Sequence, residues 1–511
     1  MTASSASRSA LPIYFLQSAN FCSPVALLTR DCWLNVLEHL SPEDYWPLLF
    51  VSKSSASFME PFLLRKIAWS WRPIPFRRIL LLFRAVQQKP ERASHIRHLS
   101  LLSYEDLDST DDWEPPSCET DCKQEITGFK DVLHHAQSIV KTTKFPDADS
   151  WILALEDGNP YAFVSTFISQ LHNLQFLHLD YSFVWQSGFP GLMLRHSLSS
   201  SNPSLSRFHS LTDVDYGANV RRATRSMGAP EIFDEVEEPG YPECNPEQFA
   251  AWFYLPSIRS LKIWLRTKNG IQLPDRNLPD LSGLERLILS RTTIQEAQVS
   301  DILPLAPRLK TLHLGMAYRY SKETALKDGQ SIIKGLKSVK GSLTNLSFGV
   351  EYYPPTICDV YIQDQEEELS DPFYGLLEGF PNIRSVEYPV NLLAGWSTEP
   401  STDLASGLPE QIEQLCLRAD YQTVDENGWH EGEILDLVSF NAARLRSRIP
   451  GLSRICVRKW RPFNSVRAID EKRDVARAAC AREGIRLEVV SDHVSNGIWT
   501  EARMCPERKV L

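Results

Sequence analysis

Long apolar segments are missing from this sequence. No run approaches the roughly 20 consecutive apolar residues that a helix needs to span a bilayer. A short apolar stretch near the start, residues 11–16, is preceded only by Arg8, which is a weak pattern for a signal peptide. We therefore expect residues 1–26 to be a disordered leader, and we expect no membrane partner.

Cysteine is sparse and scattered. The chain has 10 cysteines in 511 residues, and its tightest pair, Cys118 and Cys122, has no matching pair and no histidine cluster nearby. A closed zinc site needs four ligands. The sequence therefore predicts free thiols in a reducing compartment and no bound metal.

Basic charge falls short of acidic charge. The chain carries 54 lysines and arginines against 64 aspartates and glutamates, a net charge of −10. Proteins that bind duplex DNA usually present a basic face to the phosphates. We therefore expect no nucleic-acid partner.

Motifs for catalysis and cofactor binding are also missing. The sequence contains no GxxxxGK[ST], no GxGxxG after a strand, no HExxH and no GxSxG. Its 12 histidines are dispersed, and the acidic pair Asp147 and Asp149 follows Pro146 in an expected loop. The sequence thus predicts no catalytic residues and no cofactor, and we expect the chain not to be an enzyme.

What the chain does have is a globular composition. Hydrophobic residues make up 43% of it, charged residues 23% and aromatic residues 10%. A chain of 511 residues with this content can bury a large core and should form more than one ordinary domain.

An N-terminal helical motif is encoded by residues 28–53, which read LTRDCWLNVLEHLSPEDYWPLLFVSK. Trp33, Val36, Leu37 and Leu40 are spaced to form one apolar helical face. The sequence SPED at residues 41–44 then provides a serine cap, a proline at the first helical position and acids in the first turn. Another helical segment is expected from Phe58 to Trp69.

This motif resembles the F-box, whose pattern runs roughly LPxExxxxIxxxLxPxDLxxLxxVSK. The matching positions are Leu28, Asp31, Val36, Leu40, Pro42, Asp44, Leu48, Val51, Ser52 and Lys53. Two positions depart from the pattern: Thr29 stands where the family has proline, and Pro47 interrupts the second helix.

The resemblance implies that residues 27–69 bind a Skp-type adaptor, which joins F-box proteins to a cullin–RING ubiquitin ligase. Carried over onto this sequence, the adaptor-facing residues are Leu28, Leu40, Pro42, Leu48 and Val51. Apolar periodicity alone also allows some of these side chains to fill the motif's own core.

The rest of the chain repeats the pattern LxxLxL. The clearest copy is Leu284, Leu287 and Leu289, continued by Thr292 and Ile294. Nine further copies begin at Ile96, Leu174, Leu211, Ile258, Leu309, Leu343, Ile383, Ile412 and Leu452, and residues 485–489 form a last one. Helices are expected between them, at residues 160–170, 246–254, 295–303, 330–340, 433–448 and 467–483.

This pattern resembles the leucine-rich repeat, although its spacing, 25 residues in one place and 40 in another, is uneven. Strand, crossover helix and strand imply a parallel sheet. The fold class we predict is α/β: a three-helix F-box followed by an irregular leucine-rich-repeat solenoid with parallel strands on the concave side and helices outside. An ordinary α/β domain is the alternative.

The expected domain order follows from these two resemblances. It is a leader at residues 1–26, an F-box at 27–69, a helical linker at 70–94, the solenoid at 95–492 and a tail at 493–511. Exposed loops are expected at residues 104–125, 221–241, 364–371 and 395–406, which are acidic, partly basic or rich in serine and threonine.

A substrate-binding surface is expected on the concave side, where the residues that alternate with the LxL leucines face outward. We single out Lys262, Trp264, His313 and Arg418. The full row also includes His178, Asp180, Asp213, Asp215, Ile288, Ser290, Gly315, Glu387 and Cys416. Mixed charge with an aromatic anchor suits a protein partner.

The sequence therefore favours the substrate-recognition subunit of an SCF-type (Skp–cullin–F-box) ubiquitin ligase, located in the cytoplasm or nucleus. The alternatives are an F-box scaffold that ubiquitylates nothing and an enzyme with leucine-rich architecture. The substrate itself is not identified by the sequence.

Overall fold

The structure is a computed structural model. It describes residues 53–71, 73–103, 118, 121–185, 188–217, 244–265, 278–319, 328–353, 375–395, 398–420, 429–459 and 466–491, together with positions 35, 50, 267, 270, 271, 273 and 373. The expected leader at residues 1–26, the tail at 493–511, the loops at 221–241 and 364–371, and most of residues 27–52 lie outside the described residues.

Twelve strands of the described residues form one parallel sheet in which each strand pairs with the next in the chain. The strands are β1 (Lys66–Trp71), β2 (His98–Ser103), β3 (Phe176–Leu179), β4 (Asp213–Tyr216), β5 (Ser260–Ile263), β6 (Arg286–Thr292), β7 (Thr311–Arg319), β8 (Asn345–Tyr353), β9 (Ser385–Pro389), β10 (Gln414–Arg418), β11 (Arg454–Lys459) and β12 (Arg486–Ser491). The order is linear from β1 to β12, so the sheet is not closed.

The register of the sheet follows the repeats. Leu261, Leu287 and Leu312 are direct neighbours on β5, β6 and β7, and the second leucine-type position aligns in the same way, as in Leu289 and Leu314. A slip of one residue would move the apolar row to the other face. The repeated pattern therefore sets the pairing of the strands as well as their positions.

Helices fill the crossovers between strands. They are α1 (Lys53–Arg65), α2 (Phe76–Gln88), α3 (Cys122–Thr127), α4 (Lys130–Thr143), α5 (Ala148–Glu156), α6 (Pro160–Ile168), α7 (Tyr181–Trp185), α8 (Phe189–Ser199), α9 (Glu247–Ala250), α10 (Glu296–Ile302), α11 (Gly329–Ser338), α12 (Val390–Ala394), α13 (Glu431–Arg448) and α14 (Val466–Arg482). Short 3-10 helices occur at Pro90–His95, Ala251–Tyr254, Leu303–Leu305 and Leu376–Gly379. In the described part of the chain, no helix is both long and apolar enough to cross a membrane.

Local sequence explains where several helices begin. The Asn159 side chain accepts hydrogen bonds from the backbone N–H groups of Tyr161 and Ala162, and Pro160 occupies the first turn of α6. Gln295 and Gln298 form a reciprocal capping box at the start of α10. Such caps satisfy backbone donors that have no partner within the helix.

The core lies between the helices and one face of the sheet. Leucine-type residues of every strand from β2 to β12 belong to a single buried cluster, which also holds apolar residues of α2, α4, α6 and α13. We call the sheet face that carries them the core face. A helix–sheet layer of this kind buries the apolar side that neither element could bury alone.

The predicted α/β class with parallel strands is confirmed, as are all six helices expected between the repeats, with small shifts at their ends. The loop predicted at residues 104–125 is wrong at its end, where Asp121 caps α3. The loop expected around Asp147 and Asp149 is also wrong, because Asp149 lies in the first turn of α5.

The sheet starts earlier than the sequence predicts. Residues 66–69 are expected to be helical, but α1 ends at Arg65 and β1 begins at Lys66, well before residue 95. Ile67 and Trp69 alternate with Ala68 and Ser70, which is strand spacing. Within the expected linker, α2 buries Phe76, Leu80 and Phe83 in the common core.

Candidate functional site

The second face of the sheet carries the residues that alternate with the core-face leucines. We call it the polar face. In parallel strands paired in register, these residues form straight rows across the sheet. One such row passes from His178 through Asp215 and Lys262 and continues through Ile288 to His313, Ser347 and Glu387.

The polar face is partly accessible at its N-terminal end. We call this region the open patch and define it by Lys66, His98, Phe176, His178, Asp213 and Lys262 on β1 to β5. Lys66 is exposed, Phe176 is 38% exposed and the other four are partly exposed. Lys66, His98, Phe176 and Asp213 are register neighbours in one row.

An imidazole–carboxylate pair lies at the centre of the open patch. His178 Nε2 is 2.7 Å from Asp213 Oδ1, and the two side chains are 25% and 21% exposed. Burial acts to raise the pKa of Asp213, but the hydrogen bond with His178 helps to hold that pKa below its usual value. Asp213 is therefore anionic at neutral pH and fixes the orientation of His178.

His98 lies beside this pair. Its ring stacks on Phe176 with centroids 5.4 Å apart and meets the ring of His178 edge-on at 5.3 Å. Partial burial, His178 and Lys66 together lower the pKa of His98 to about 4. His98 is thus neutral at neutral pH, and with Phe176 it forms a flat aromatic surface.

The open patch offers an aromatic surface bordered by Lys66 and Lys262 and by the carboxylates of Asp213 and Asp215. Apolar aromatic area surrounded by mixed charge is typical of protein–protein contact surfaces. The His178–Asp213 pair could orient a proton donor or acceptor, but the accessible surface beside it is aromatic and charged. The arrangement therefore suits recognition better than chemistry.

Part of the polar face on β7 to β11 is buried. We call its central group the buried cluster and define it by His313, Ser347, Glu387, Arg418, Asp420 and Arg458. Arg418 and Arg458 each donate to Glu387 Oε1, at 2.7 and 2.6 Å. The side chains of Glu387 and Asp420 are 0% exposed and that of Arg418 is 1% exposed.

A hydrogen-bonded chain extends this cluster across three strands. His313 Nδ1 lies 2.8 Å from Ser347 Oγ, and Ser347 Oγ donates to Glu387 Oε2 at 2.9 Å. Arg418 also donates through Nε to both oxygens of Asp420. Two guanidinium groups thus face two carboxylates, so the cluster balances its charge inside the protein.

Backbone geometry makes room for the cluster. A Cβ atom on Gly349 would lie 2.7 Å from Nη2 of Arg418, so the guanidinium occupies the space that a side chain would need. Beyond Ser347, β8 no longer pairs with β9, and Asp420 Oδ2 accepts the N–H of Val350 there at 2.9 Å. Asp420 therefore accepts hydrogen bonds both from a backbone N–H at the edge of β8 and from the side chain of Arg418.

The pKa values follow from this geometry. Burial acts to raise the pKa of Glu387, but Arg458 and Arg418 reverse that effect and hold it below the usual value. Burial lowers the pKa of His313 to about 3, against the opposing charge of Glu387. At neutral pH the cluster contains an ionised Glu387 and a neutral His313.

Of the residues predicted to bind substrate, some are accessible in the structure and others are buried. Lys262 lies in the open patch and is partly exposed. The prediction that Trp264, His313 and Arg418 face solvent is wrong, because they are 0%, 0% and 1% exposed. Trp264 packs in the core against Trp185, and Asp180, Ile288, Ser290, Gly315, Glu387 and Cys416 of the same predicted row are also buried.

Two residues of these groups, Phe176 and Arg458, are not among those predicted from the sequence. Phe176, the exposed aromatic residue of the open patch, precedes Leu177 by one position, so the alternation that places Leu177 in the core places Phe176 on the polar face. Arg458 follows Val457 by one position, so it also lies on the polar face, and it is the register neighbour of Arg418. The alternation was therefore a sufficient signal for the face of each residue.

The other residues singled out in the sequence are the adaptor-facing residues and the cysteine pair, and neither group forms a site among the described residues. The adaptor-facing residues Leu28, Leu40, Pro42, Leu48 and Val51 lie outside the described residues. Cys118 and Cys122 are free thiols. Within the described ranges, no group of three or more histidine, cysteine, aspartate or glutamate side chains is arranged to hold a metal ion.

Comparison with known proteins adds no relative. No model of a protein family matches the chain, and no curated protein matches it either.

Proposed function

We propose that this chain is the substrate-recognition subunit of an SCF-type ubiquitin ligase and has no catalytic activity of its own. In this proposal residues 27–65 form an F-box that binds a Skp-type adaptor, since the residues from Lys66 onward belong to the sheet. The twelve-stranded sheet is an irregular leucine-rich-repeat solenoid, and its open patch holds a protein substrate. Ubiquitin transfer is carried out by the ligase that the adaptor recruits.

The repeats support the solenoid part of the proposal. The LxxLxL copies coincide with successive strands. Their first leucine-type residues within the strands align in one row from β2 to β12, and their second ones align in a parallel row that is interrupted only between β8 and β9. Each unit contacts the next one along the chain, as expected when repeats stack because none can bury its apolar side alone.

The observation that carries the proposal is the junction between the F-box-like sequence and the sheet. Lys53, the last residue of the F-box match, begins α1, and α1 ends at Arg65 immediately before β1. Arg92 Nε donates to Glu60 of α1 at 2.7 Å, and the N–H of Arg97 donates to the carbonyl of Arg65 at 3.0 Å. No flexible linker separates α1 from β1.

A junction of this kind suits a substrate receptor. If the F-box is held by an adaptor, a substrate on the open patch is held at a fixed distance and orientation from it. Proximity of this type raises the effective concentration of the substrate near the ubiquitin carrier, and a long flexible linker would dilute it. The open patch begins on β1 itself, at Lys66, so adaptor and substrate sites would be close along the chain.

The direct test is binding to the adaptor. Leu40→Asp with Leu48→Asp places two charges in apolar positions of the F-box-like motif, at a cost of several kcal/mol at order of magnitude if they face an interface or core. We expect the parent chain to co-purify with a Skp-type adaptor and cullin, and the double variant to lose both.

A matched control keeps this test specific. Leu81→Asp and Leu153→Asp alter leucines that are 48% and 58% exposed on α2 and α5, outside the motif. The variant that carries both of these changes should still co-purify with the adaptor. Equal adaptor recovery with the parent and with a folded Leu40→Asp/Leu48→Asp variant would contradict the proposal.

A further inference from the structure

On the helix side of the molecule, a cleft of about 600 Å³ lies between two consecutive crossovers. It is bordered by the C-terminal half of α8, by the turn that precedes β4, and by α9 with the 3-10 helix that follows it. A volume of 300–1,000 Å³ is typical of small-molecule sites in proteins. The cleft lies on the opposite side of the sheet from the open patch.

Close packing at one end of α8 creates this cleft. A Cβ atom on Gly191 would collide with the backbone oxygen of Gln248, so α8 and α9 touch there backbone to backbone. The buried Gln248 side chain accepts a hydrogen bond from Tyr216 at 2.5 Å, which holds α9 in place. Further along α8, at Arg195 and Leu198, the two elements line the cleft.

The floor of the cleft is largely apolar. Leu198, Ala250, Ala251, Tyr254 and Pro256 line it, and the small alanines leave the space open. Burial raises the pKa of Tyr254, so its hydroxyl stays neutral well above neutral pH. The floor therefore accepts an aliphatic or aromatic body.

The border of the cleft is basic. Arg195, Arg207 and His209 line it, and Glu247 is the only acid among its described lining residues. Glu247 is already paired with Arg195, whose Nη1 lies 2.5 Å from Glu247 Oε2. The balance of charge therefore favours an anion.

Arg207 is held in position by hydrogen bonds to the backbone, and the buried Phe208 anchors the chain between Arg207 and His209. Phe208 between them has a left-handed φ of 53° and a side chain that is 1% exposed. Its N–H donates to Ser206 Oγ at 3.2 Å, and Arg207 Nη1 donates to the carbonyls of Ser197 and Leu198 at the end of α8. A left-handed, non-glycine residue costs free energy, and such residues cluster at binding sites.

We infer that this cleft binds a small soluble molecule that carries an anionic group, phosphate or carboxylate, on an apolar body. The anion lies at Arg195, Arg207 and His209, and the apolar body lies on Leu198, Ala250 and Tyr254. Because Arg207 is already ordered by the end of α8, binding requires little further loss of side-chain freedom. This inference does not depend on the proposed ligase function.

Calorimetric titration of the full chain with hexyl phosphate and with hexanoate tests the inference. At least one of these probes should bind, and the tighter one identifies the anion. Inorganic phosphate and hexanol should each bind at least about tenfold more weakly than the preferred probe, because each lacks half of the recognised chemistry. Equal binding of inorganic phosphate would overturn the apolar half of the inference.

Variants locate the probe. Arg195→Gln with His209→Gln removes two exposed basic groups and should weaken binding about tenfold or more. Ala250→Trp should abolish binding by filling the floor. The matched control is Arg384→Gln, since Arg384 pairs with Glu413 and both side chains are 55% exposed, as the Arg195 pair is at 54% and 58%.

The inference is overturned if neither probe binds at millimolar concentration, or if the cleft variants, folded by circular dichroism, bind as tightly as the control. Phosphatidylcholine vesicles containing phosphatidic acid provide a second arm. Sedimentation of the chain with these vesicles, without binding of either soluble probe, would assign the basic border to a lipid headgroup and overturn the soluble ligand.

Discussion

The open patch and the buried cluster lie on the same face of the same sheet, yet their charges act in different ways. In the open patch, Phe176 is 38% exposed and the His178–Asp213 pair is reached by solvent. In the buried cluster, Glu387 and Arg418 are closed off from solvent. Strand alternation assigns residues to a face, and burial decides whether that face can recognise a partner or only support the fold.

This difference has an energetic consequence. A buried charge that loses its partner destabilises the protein strongly, whereas an exposed ion pair contributes little. Substitutions in the buried cluster should therefore act on stability, and substitutions in the open patch should act on binding.

The largest effect is expected for Glu387→Gln. The change removes the charge of the carboxylate that Arg418 and Arg458 share, and should lower the free energy of unfolding by about 3–5 kcal/mol. Chemical denaturation monitored by circular dichroism measures it. Glu413→Gln alters an exposed ion pair and should cost under about 1 kcal/mol. Equal losses for the two variants would remove the distinction between buried and exposed charge.

A smaller effect is expected for Gly349→Ala. The added methyl group must displace the Arg418 guanidinium, which is fixed by Glu387 and Asp420, so the free energy of unfolding should fall by about 1–3 kcal/mol. Gly341→Ala is the matched control, since no atom lies within 4 Å of its Cβ position. If both variants unfold alike, the close packing over Gly349 does not matter for stability.

The pH dependence of stability tests the state of His313. Its pKa is about 3 in the folded chain, against 6.5 for an ordinary histidine, so the unfolded chain takes up a proton first as the pH falls. Stability should therefore be full above about pH 7 and decline by about 2 kcal/mol on going to about pH 5 from this residue alone. His98 shifts in the same direction, with a smaller effect because it is partly exposed.

His313→Gln isolates that contribution. The variant should show a flatter decline over the same pH interval, and subtracting its curve from that of the parent removes the effects of His98 and the other histidines. Parallel curves for parent and variant would show that His313 is not held neutral by burial.

The smallest effect on stability is expected for Phe176→Ala with Lys262→Glu. Both side chains lie in the open patch, and neither belongs to the buried cluster. The free energy of unfolding should change by under about 1 kcal/mol in denaturation experiments. A loss as large as that of Glu387→Gln would mean that the open patch is structural.

Much of the fold could be predicted from the sequence because its signals are local and repeated. The Leu284, Leu287 and Leu289 copy predicts β6, and similar copies predict the ten other strands from β2 to β12. The first strand was missed because Phe62, Leu63 and Ile67 also fit a helical spacing. The structure decides between a helix and a strand for this segment, because the helix ends at Arg65 and the strand begins at Lys66.

The candidate site was less predictable for a physical reason. Alternation assigned His313 and Arg418 to the correct face, but burial depends on the whole three-dimensional structure. The ion pairs of Glu387 join residues up to 71 positions apart in the sequence. A lone glutamate or arginine in a strand carries no sign of such a partner.

The most direct test measures two properties of each variant in one set: the proteins that it captures from cells and its stability. The variants are Phe176→Ala/Lys262→Glu in the open patch, Phe440→Ala/Lys334→Glu on exposed helix positions, and Leu40→Asp/Leu48→Asp in the F-box-like motif. Tagged chains are purified from cells under proteasome inhibition, and bound proteins are quantified by mass spectrometry. We predict that the open-patch variant keeps the adaptor and its stability but loses ubiquitylated partners that the parent and the helix variant retain. Retention of the same partners by the open-patch variant, with the adaptor still bound, would contradict the account.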